Sequence, residues 1–325
     1  MKKKNNILVT GSAGFIGFHL SKKLLKNKIN VVGLDNLNSY YDIKLKKDRN
    51  KILKKNKQYF FHKISIENKK SLEKIFSKYQ FKSVIHLAAQ AGVRNSIKDP
   101  DKYFKYNVLG FYNILELCRR FKIKHLLFAS TSSVYGLNKF YPLNEDLKLD
   151  TPQSFYAASK HTNEIMAYSY SNIFNLKITG MRFFTVYGPY GRPDMALFKF
   201  VDNIFNKKPI ELYNSGDHIR DFTYVDDVVE SIIKLSLVKS TAEDKFDVFN
   251  IGSSNPIKLT EFLKYIEDKL GKNPKIKKLK FQKGDIHKTH ADVKKLYKIT
   301  NFKPKTNIKD GIEKFINWYK DYYSK

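Results

Sequence analysis

Tyr156 and Lys160 stand four residues apart in the run Tyr156-Ala157-Ala158-Ser159-Lys160, and Thr131 lies 25 positions upstream of the tyrosine, within Ser130-Thr131-Ser132-Ser133. Four residues is about one helical turn, so the ammonium and the phenol share a face and the positive charge favours the ionised phenol. Free tyrosine, with a pKa of about 10, is otherwise too weak a base near neutrality. A second piece of chemistry sits at the start of the chain, where Gly11-Ser12-Ala13-Gly14-Phe15-Ile16-Gly17 places glycines at 11, 14 and 17 directly after an apolar run. Glycines there let the backbone turn tightly and approach a pyrophosphate, whose charge meets the amides and the positive dipole end of the helix that follows. Asp35 closes a second apolar run 18 residues after Gly17. A carboxylate there accepts hydrogen bonds from both ribose hydroxyls and repels a 2′-phosphate, so the expected cofactor is NAD in preference to NADP. Further on, His86-Leu87-Ala88-Ala89-Gln90-Ala91-Gly92 offers small residues, Ala88 among them, that let a cofactor lie close to a sheet edge; His86 itself is expected to be structural. An activated tyrosine beside a nicotinamide describes an enzyme that acts on an alcohol.

These groups need a scaffold that brings strand ends together, and the periodicity supplies one. Asn6–Thr10 is an apolar run meeting a glycine turn, Phe15–Leu25 carries apolar residues at helical spacing, and Val31–Leu34 is apolar again, which is a βαβ unit. Candidate strands follow at Tyr59–Ile64, Ser83–Ala88, His125–Ala129 and Ile178–Phe184, with helices at Lys69–Lys78, Tyr103–Phe121 and Phe155–Ile173. Such alternation predicts an α/β fold with a Rossmann-type, doubly wound parallel sheet. Past about Leu197 the rhythm loosens into shorter elements, with turn signals at Asn214-Ser215-Gly216-Asp217 and Gly252-Ser253-Ser254-Asn255-Pro256, so a smaller C-terminal α/β substrate domain is expected. The expected division is 1–184 for the cofactor and 185–325 for the substrate, with elements free to interleave.

The 325 residues, 42% hydrophobic, suffice for a large core. No apolar run approaches the roughly 20 residues of a membrane span, and the Met1-Lys2-Lys3-Lys4-Asn5-Asn6 start leads into a strand pattern instead of a signal-peptide core, so a cytoplasmic protein without membrane partners is expected. The single Cys118 can form no internal disulfide and is expected to pack on a helix face. A net charge of +30 invites a nucleic-acid reading, but the lysines are spread along the whole chain, and a solvated lysine surface explains them better. The lysine-rich stretches Lys44–Lys57 and Lys272–Lys280 are read as solvated helix or loop, and Trp318-Tyr319 with Tyr322-Tyr323 as packing residues. No metal and no nucleic-acid partner is expected.

Over nearly its whole length the chain resembles the extended short-chain dehydrogenase/reductase superfamily, and within it the nucleotide-sugar epimerases and dehydratases. Leu34-Asp35-Asn36-Leu37-Asn38-Ser39-Tyr40-Tyr41-Asp42, Tyr187-Gly188-Pro189-Tyr190-Gly191-Arg192-Pro193-Asp194-Met195-Ala196-Leu197-Phe198 and Arg220-Asp221-Phe222-Thr223-Tyr224-Val225-Asp226-Asp227 resemble UDP-glucuronate 4-epimerases most specifically. The resemblance implies a base that takes the O4 proton while hydride leaves C4, giving a bound 4-keto sugar. Related 4,6-dehydratases follow their threonine with an Asp-Glu pair for elimination, and uronate decarboxylases carry a glutamate at the position of Ser133; this chain has Ser132 and Ser133, which leaves rotation of the keto sugar and hydride return, that is, C4 epimerisation.

By the same resemblance Tyr156 is general base and acid, Lys160 tunes it and holds the nicotinamide ribose, and Thr131 hydrogen-bonds O4. Cofactor contacts are implied for Gly11, Gly14, Phe15, Ile16, Gly17, Asp35, Asn36, Asn38, Ser65, Ile66 and Ala88. Arg192, whose guanidinium matches a carboxylate, and Thr185 are expected to receive the uronate, Ser132 and Ser133 to line the sugar, Arg220 to clamp the diphosphate, and Asp285 to close on the uridine ribose. Ser65 stands where relatives usually carry an aspartate against the adenine, which predicts a weaker hold on NAD. The long helices at Tyr103–Phe121 and Phe155–Ile173 resemble those that pair relatives into homodimers. Three alternatives stay open: a 4-epimerase of a neutral or N-acetylated UDP-hexose, a decarboxylase, and a non-catalytic NAD-binding regulator of the same fold.

Overall fold

The computed structural model describes residues 6–238 and 245–325; the lysine-rich start, Met1 to Asn5, lies outside the described residues. Its first half alternates as the apolar runs demand. Strands β1 (Asn6–Thr10), β2 (Asn30–Asp35), β3 (Tyr59–Lys63), β4 (Phe81–His86), β5 (Leu126–Thr131) and β6 (Ile178–Phe183) are separated by helices α1 (Phe15–Lys26), α2 (Ile43–Lys54), α3 (Lys69–Lys78), α4 (Val93–Lys98), α5 (Pro100–Tyr103), α6 (Gly110–Arg120) and α7 (Phe155–Phe174). Every residue of β1 and of β6 is buried, because helices cover both faces of the sheet.

The second half contributes strands β7 (Thr185–Tyr187), β8 (Ile210–Tyr213), β9 (Ile219–Tyr224), β10 (Phe246–Ile251), β11 (Pro256–Lys258) and β12 (Ile276–Leu279), with helices α8 (Ala196–Phe205), α9 (Val225–Leu237), α10 (Leu259–Leu270), α11 (Lys294–Thr300) and α12 (Ile308–Tyr323). The main sheet has seven strands in the order β10-β6-β5-β4-β1-β2-β3, all parallel. It is therefore the doubly wound sheet read from the sequence. The order reverses between β1 and β4, which opens a crevice at their C-terminal ends. Two small sheets, β11-β9-β7 and β12-β8, form the C-terminal substructure, while β10 returns to the edge of the main sheet, so the two halves of the chain interleave.

Two apolar clusters cover the faces. One joins α1 and β1 to α8, α9 and α12; the other joins α3, α6 and α7 to β4 and β5 and contains Cys118, which packs as expected. Trp318, Tyr319, Tyr322 and Tyr323 pack against Phe198 and Tyr190. Among the described residues no helix is long and apolar enough to cross a membrane.

Three local expectations are corrected. The predicted helix Tyr103–Phe121 is interrupted by a π-turn, Phe104–Leu109, whose extra residue swings the buried Asn107 inward. Most of Lys44–Lys57 is helix α2, but Lys46 and Arg49 on its inner face are buried, because each finds oxygen acceptors in the loops it covers. Lys272–Lys280, read as helix or loop, contains the exposed strand β12, whose backbone pairs with β8 while its lysines stay in water.

Candidate active site

The glycine loop leaves β1 at Gly11, whose φ of +71° and direct contact with Ala88 forbid a side chain: an added Cβ would lie 2.8 Å from the Ala88 amide nitrogen. At Gly17 a Cβ would sit 2.0 Å from the Gly11 carbonyl oxygen, so the first turn of α1 closes directly on the strand end. Gly14 caps α1 without a side-chain hydrogen bond, and the first turn, with Phe15 and Ile16, carries no acid. Its amides are left free for an anion. Asp35 ends β2 beside this loop and accepts from the amides of Ala13 at 3.2 Å and Leu37 at 2.8 Å; burial pushes its carboxyl above the usual range. A dinucleotide fits this cradle: bare amides at a helix terminus, no competing acid, and a carboxylate one strand away.

The loop after β2 is built from side chains the sequence placed there. Asn36 donates to Ser65 at 3.0 Å, and the Ser65 hydroxyl is itself bound to Glu67, so the serine is engaged from both sides. Ile66 is buried against Gly110. The Asn38 side chain accepts from Lys46 at 2.6 Å. Arg49 reaches under the glycine loop, donating to the Ala13 carbonyl at 3.0 Å, the Tyr41 hydroxyl at 2.7 Å and the carbonyls of Tyr190 at 2.7 Å and Gly191 at 3.2 Å. It ties the cofactor loop to the segment that carries Arg192. His86 behaves as the structural residue expected: fully buried, its Nδ1 shares a hydrogen bond with the Thr10 hydroxyl at 2.8 Å, and burial holds its pKa down at about 3.

The reacting groups converge where β5 meets α7. Thr131 is the last residue of β5; its hydroxyl accepts from the Ser133 amide and donates to the Ser133 hydroxyl, each at 3.2 Å, while Ser132 opens the short 3₁₀ turn that follows. Tyr156 and Lys160 lie in the first two turns of α7, which Ser154 caps by accepting from Ala157. Burial pushes the Tyr156 phenol up, and the neighbouring Thr131 hydroxyl and Arg192 charge pull it back. The Lys160 ammonium donates to the Ala129 carbonyl at 2.9 Å, and burial brings its pKa down to about 8. The charge helping the phenol in this state is therefore that of Arg192, with Lys160 turned to the backbone of β5.

A buried network fixes these elements. Arg182 of β6 pairs with Glu164 of α7 through Nε at 3.0 Å and Nη2 at 2.8 Å, with 5% and 6% of the two side chains exposed, and Ser130 donates to the same carboxylate. Arg182 Nη1 also donates to the Tyr135 hydroxyl at 3.0 Å. On the other flank Asn107 donates to the Gln90 carbonyl and the Ser159 hydroxyl, each at 3.0 Å, joining the π-turn to α7. Tyr103 stands edge-on to Tyr156, with ring centroids 6.1 Å apart.

Thr185 and Arg192 line one small cavity of about 10 Å³ with Phe15, Gly188 and Met195, so the two residues lie together. Arg192 already has a partner, however: Asp194 accepts from its Nε at 3.0 Å and its Nη2 at 2.5 Å, and from the Tyr40 hydroxyl at 3.1 Å. Burial alone would raise the Asp194 carboxyl, but the guanidinium outweighs it and holds it below the usual range. Farther out, Arg220 donates to the carbonyls of Ile219 at 3.0 Å and His287 at 2.9 Å, and burial lowers it to about 10. Asp285 is held by Arg94 at 3.0 Å, whose guanidinium lies 4.3 Å over the Tyr213 ring. Sequence reading missed Tyr40, Lys46, Arg49, Arg94, Asn107, Glu164 and Asp194. Of these only Tyr40 and Asp194 carried a signal, lying inside the segments that resemble UDP-glucuronate 4-epimerases.

The model of the NAD dependent epimerase/dehydratase family matches residues 7–252. Protein CapI of Staphylococcus aureus is 47% identical over 334 residues, covering 98% of this chain and 99% of that protein. The UDP-glucuronate 4-epimerase of Thermodesulfobacterium geofontis is 42% identical over 315 residues, covering 97% and 96%. Among solved structures, UDP-glucuronic acid 4-epimerase from Bacillus cereus, in complex with UDP-glucuronic acid and NAD, matches with a TM-score of 0.92 at 34% identity, covering 98% of this chain and 100% of that one.

Proposed function

The chain belongs to the NAD-dependent epimerase/dehydratase family, and we propose that within it the protein is a 4-epimerase that interconverts UDP-glucuronate and UDP-galacturonate with NAD as its cofactor. The observation that carries this reading is the convergence of Tyr156, Thr131 and the Thr185–Arg192 cavity at the C-terminal edge of one parallel sheet, beside a glycine loop with free amides.

Gly11, Gly14, Phe15, Ile16 and Gly17 hold the pyrophosphate of NAD, Asp35 its ribose, and Asn36, Asn38, Ser65, Ile66 and Ala88 the rest of the adenosine and the approach to the sheet. When bound there, NAD would supply the hydride acceptor and donor for sugar C4. Tyr156 removes the O4 proton and later gives one back; Thr131 hydrogen-bonds O4, and Lys160 holds the ribose next to the tyrosine. Ser132 and Ser133 supply hydroxyls and no acid, so nothing drives elimination across C5 and C6. Arg192 and Thr185 receive the carboxylate, Arg220 the diphosphate and Asp285 the uridine ribose.

Residues 1–184 thus bind the cofactor and carry the catalytic Tyr156 and Lys160, and 185–325 bind the nucleotide sugar, with β10 returning to the first unit. The protein acts in the cytoplasm as a homodimer. Support for the dimer comes from the apolar side chains left exposed on the π-turn, α6 and α7, namely Phe104, Leu109, Tyr112, Ile165, Tyr168 and Ile173.

Turnover of UDP-glucuronate set against UDP-glucose and UDP-N-acetylglucosamine tests the substrate. UDP-glucuronate should be preferred, and Arg192→Ala should lose about 10- to 100-fold more in kcat/KM on it than on the hexoses, the worth of a charge-assisted hydrogen bond beyond the help that the Arg192 charge gives Tyr156 on every substrate. Equal loss on both classes, or release of carbon dioxide with a pentose product, would contradict the assignment.

A further inference from the structure

Arg192 is the cation that the reading above assigns to the substrate carboxylate, yet it does not wait unpaired. Its Nε and Nη2 are both taken by Asp194, two residues along the same loop, and the Tyr40 hydroxyl, from the loop after β2, anchors that carboxylate. The Tyr40 ring lies beneath the guanidinium, 5.8 Å from its carbon to the ring centroid. Among the described residues no hydrogen bond reaches Nη1. A carboxylate arriving with substrate therefore meets a guanidinium whose charge is already matched.

Resting on the proposed uronate chemistry, we propose that Asp194 is a built-in competitor for Arg192, one that lets the guanidinium accept the substrate carboxylate and then release it. C4 epimerisation makes this useful, because the 4-keto sugar has to turn its other face to the cofactor between removal and return of hydride. A carboxylate locked by a sole, buried guanidinium partner would resist that turn; interactions that hold the ground state more tightly than the transition state slow the step. With Asp194 alongside, letting go of the substrate exposes no unpaired charge, since the guanidinium falls back on a carboxylate already in place. Tyr40 keeps Asp194 within reach. Because Tyr40 sits on the loop after β2 with Asn36 and Asn38, this exchange is tied to the segment proposed to hold the cofactor. Asp194 touches no reacting atom; it acts through Arg192 and sets the balance between binding and turnover for uronates alone.

The test uses NAD-loaded enzyme. Dissociation constants for UDP-glucuronate and UDP-glucose are measured on Tyr156→Phe, in which turnover is slowed enough to read binding, and on the same protein carrying Asp194→Asn or Tyr40→Phe. Freed of its competitor, Arg192 should bind UDP-glucuronate about three- to tenfold more tightly in Asp194→Asn and by a smaller factor in Tyr40→Phe, with UDP-glucose unmoved. With Tyr156 intact, Asp194→Asn should lower KM and kcat together for UDP-glucuronate. Unchanged or weaker UDP-glucuronate binding in both variants, or an equal shift for UDP-glucose, overturns the proposal. Failure of the underlying substrate reading is distinct: the parent Tyr156→Phe protein would itself bind UDP-glucuronate no better than UDP-glucose, and the competitor proposal would fall with it.

Discussion

Tyr156 is surrounded by opposing influences. Burial disfavours its ionised form, the Arg192 charge favours it, and Lys160, four residues on, spends its ammonium on the Ala129 carbonyl. The spacing of Tyr156 and Lys160 announced a helix face, and α7 provides it; spacing alone does not say which acceptor the ammonium finds, because that depends on how closely α7 packs on β5. Arg192 was visible as a carboxylate receptor, whereas its pairing with Asp194 emerges only once the loop is folded back on Tyr40. Tyr156→Phe keeps the ring and removes the proton carrier. It should lower kcat by about 10²- to 10⁴-fold with the NAD content of the purified protein unchanged, checked by steady-state rates and absorbance of released cofactor.

At the scale of elements, the alternation of apolar runs and helical stretches made the parallel sheet legible, since strands buried on both faces read as continuous apolar segments. What stayed hidden were polar residues buried against partners distant in sequence. Arg49 lies in a lysine-rich helix that looks solvated, and its guanidinium finds its acceptors only in the folded chain, at the Ala13 carbonyl, the Tyr41 hydroxyl and the Tyr190 carbonyl, the last 141 residues away. Asn107 likewise looked like one polar residue in an amphipathic helix, until the π-turn pointed it at Gln90 and Ser159. Arg49→Met keeps much of the apolar stem but leaves buried carbonyls without a donor. Its cost should be about 1–3 kcal/mol in chemical denaturation, accompanied by weaker NAD binding measured by fluorescence titration. Retained stability and retained NAD affinity together would show that Arg49 does not brace the glycine loop.

For the whole molecule, the charge of +30 gives little structural information, but the buried histidines give a pH dependence. Burial lowers His19 to about 4 and His86 and His125 to about 3. In the unfolded chain each takes up a proton near pH 6.5, which the folded chain refuses until far lower, so protons favour unfolding across the interval between. Stability is therefore full above about pH 6.5 and falls as pH drops toward about 4, by as much as roughly 1.4 kcal/mol per pH unit for each histidine. Urea midpoints measured from pH 7 to pH 4 check this, and His125→Gln should flatten the slope; an unchanged slope would show that His125 titrates normally in the fold.

Epimerisation as proposed exchanges a proton and a hydride within one site. Purified protein incubated with UDP-glucuronate in deuterated water and followed by proton NMR tests it most directly. UDP-galacturonate should appear with hydrogen, not deuterium, at C4, because the hydride leaves and returns without meeting solvent. Deuterium at C4, a pentose product, or persistent UDP-glucuronate beside bound NAD would contradict it.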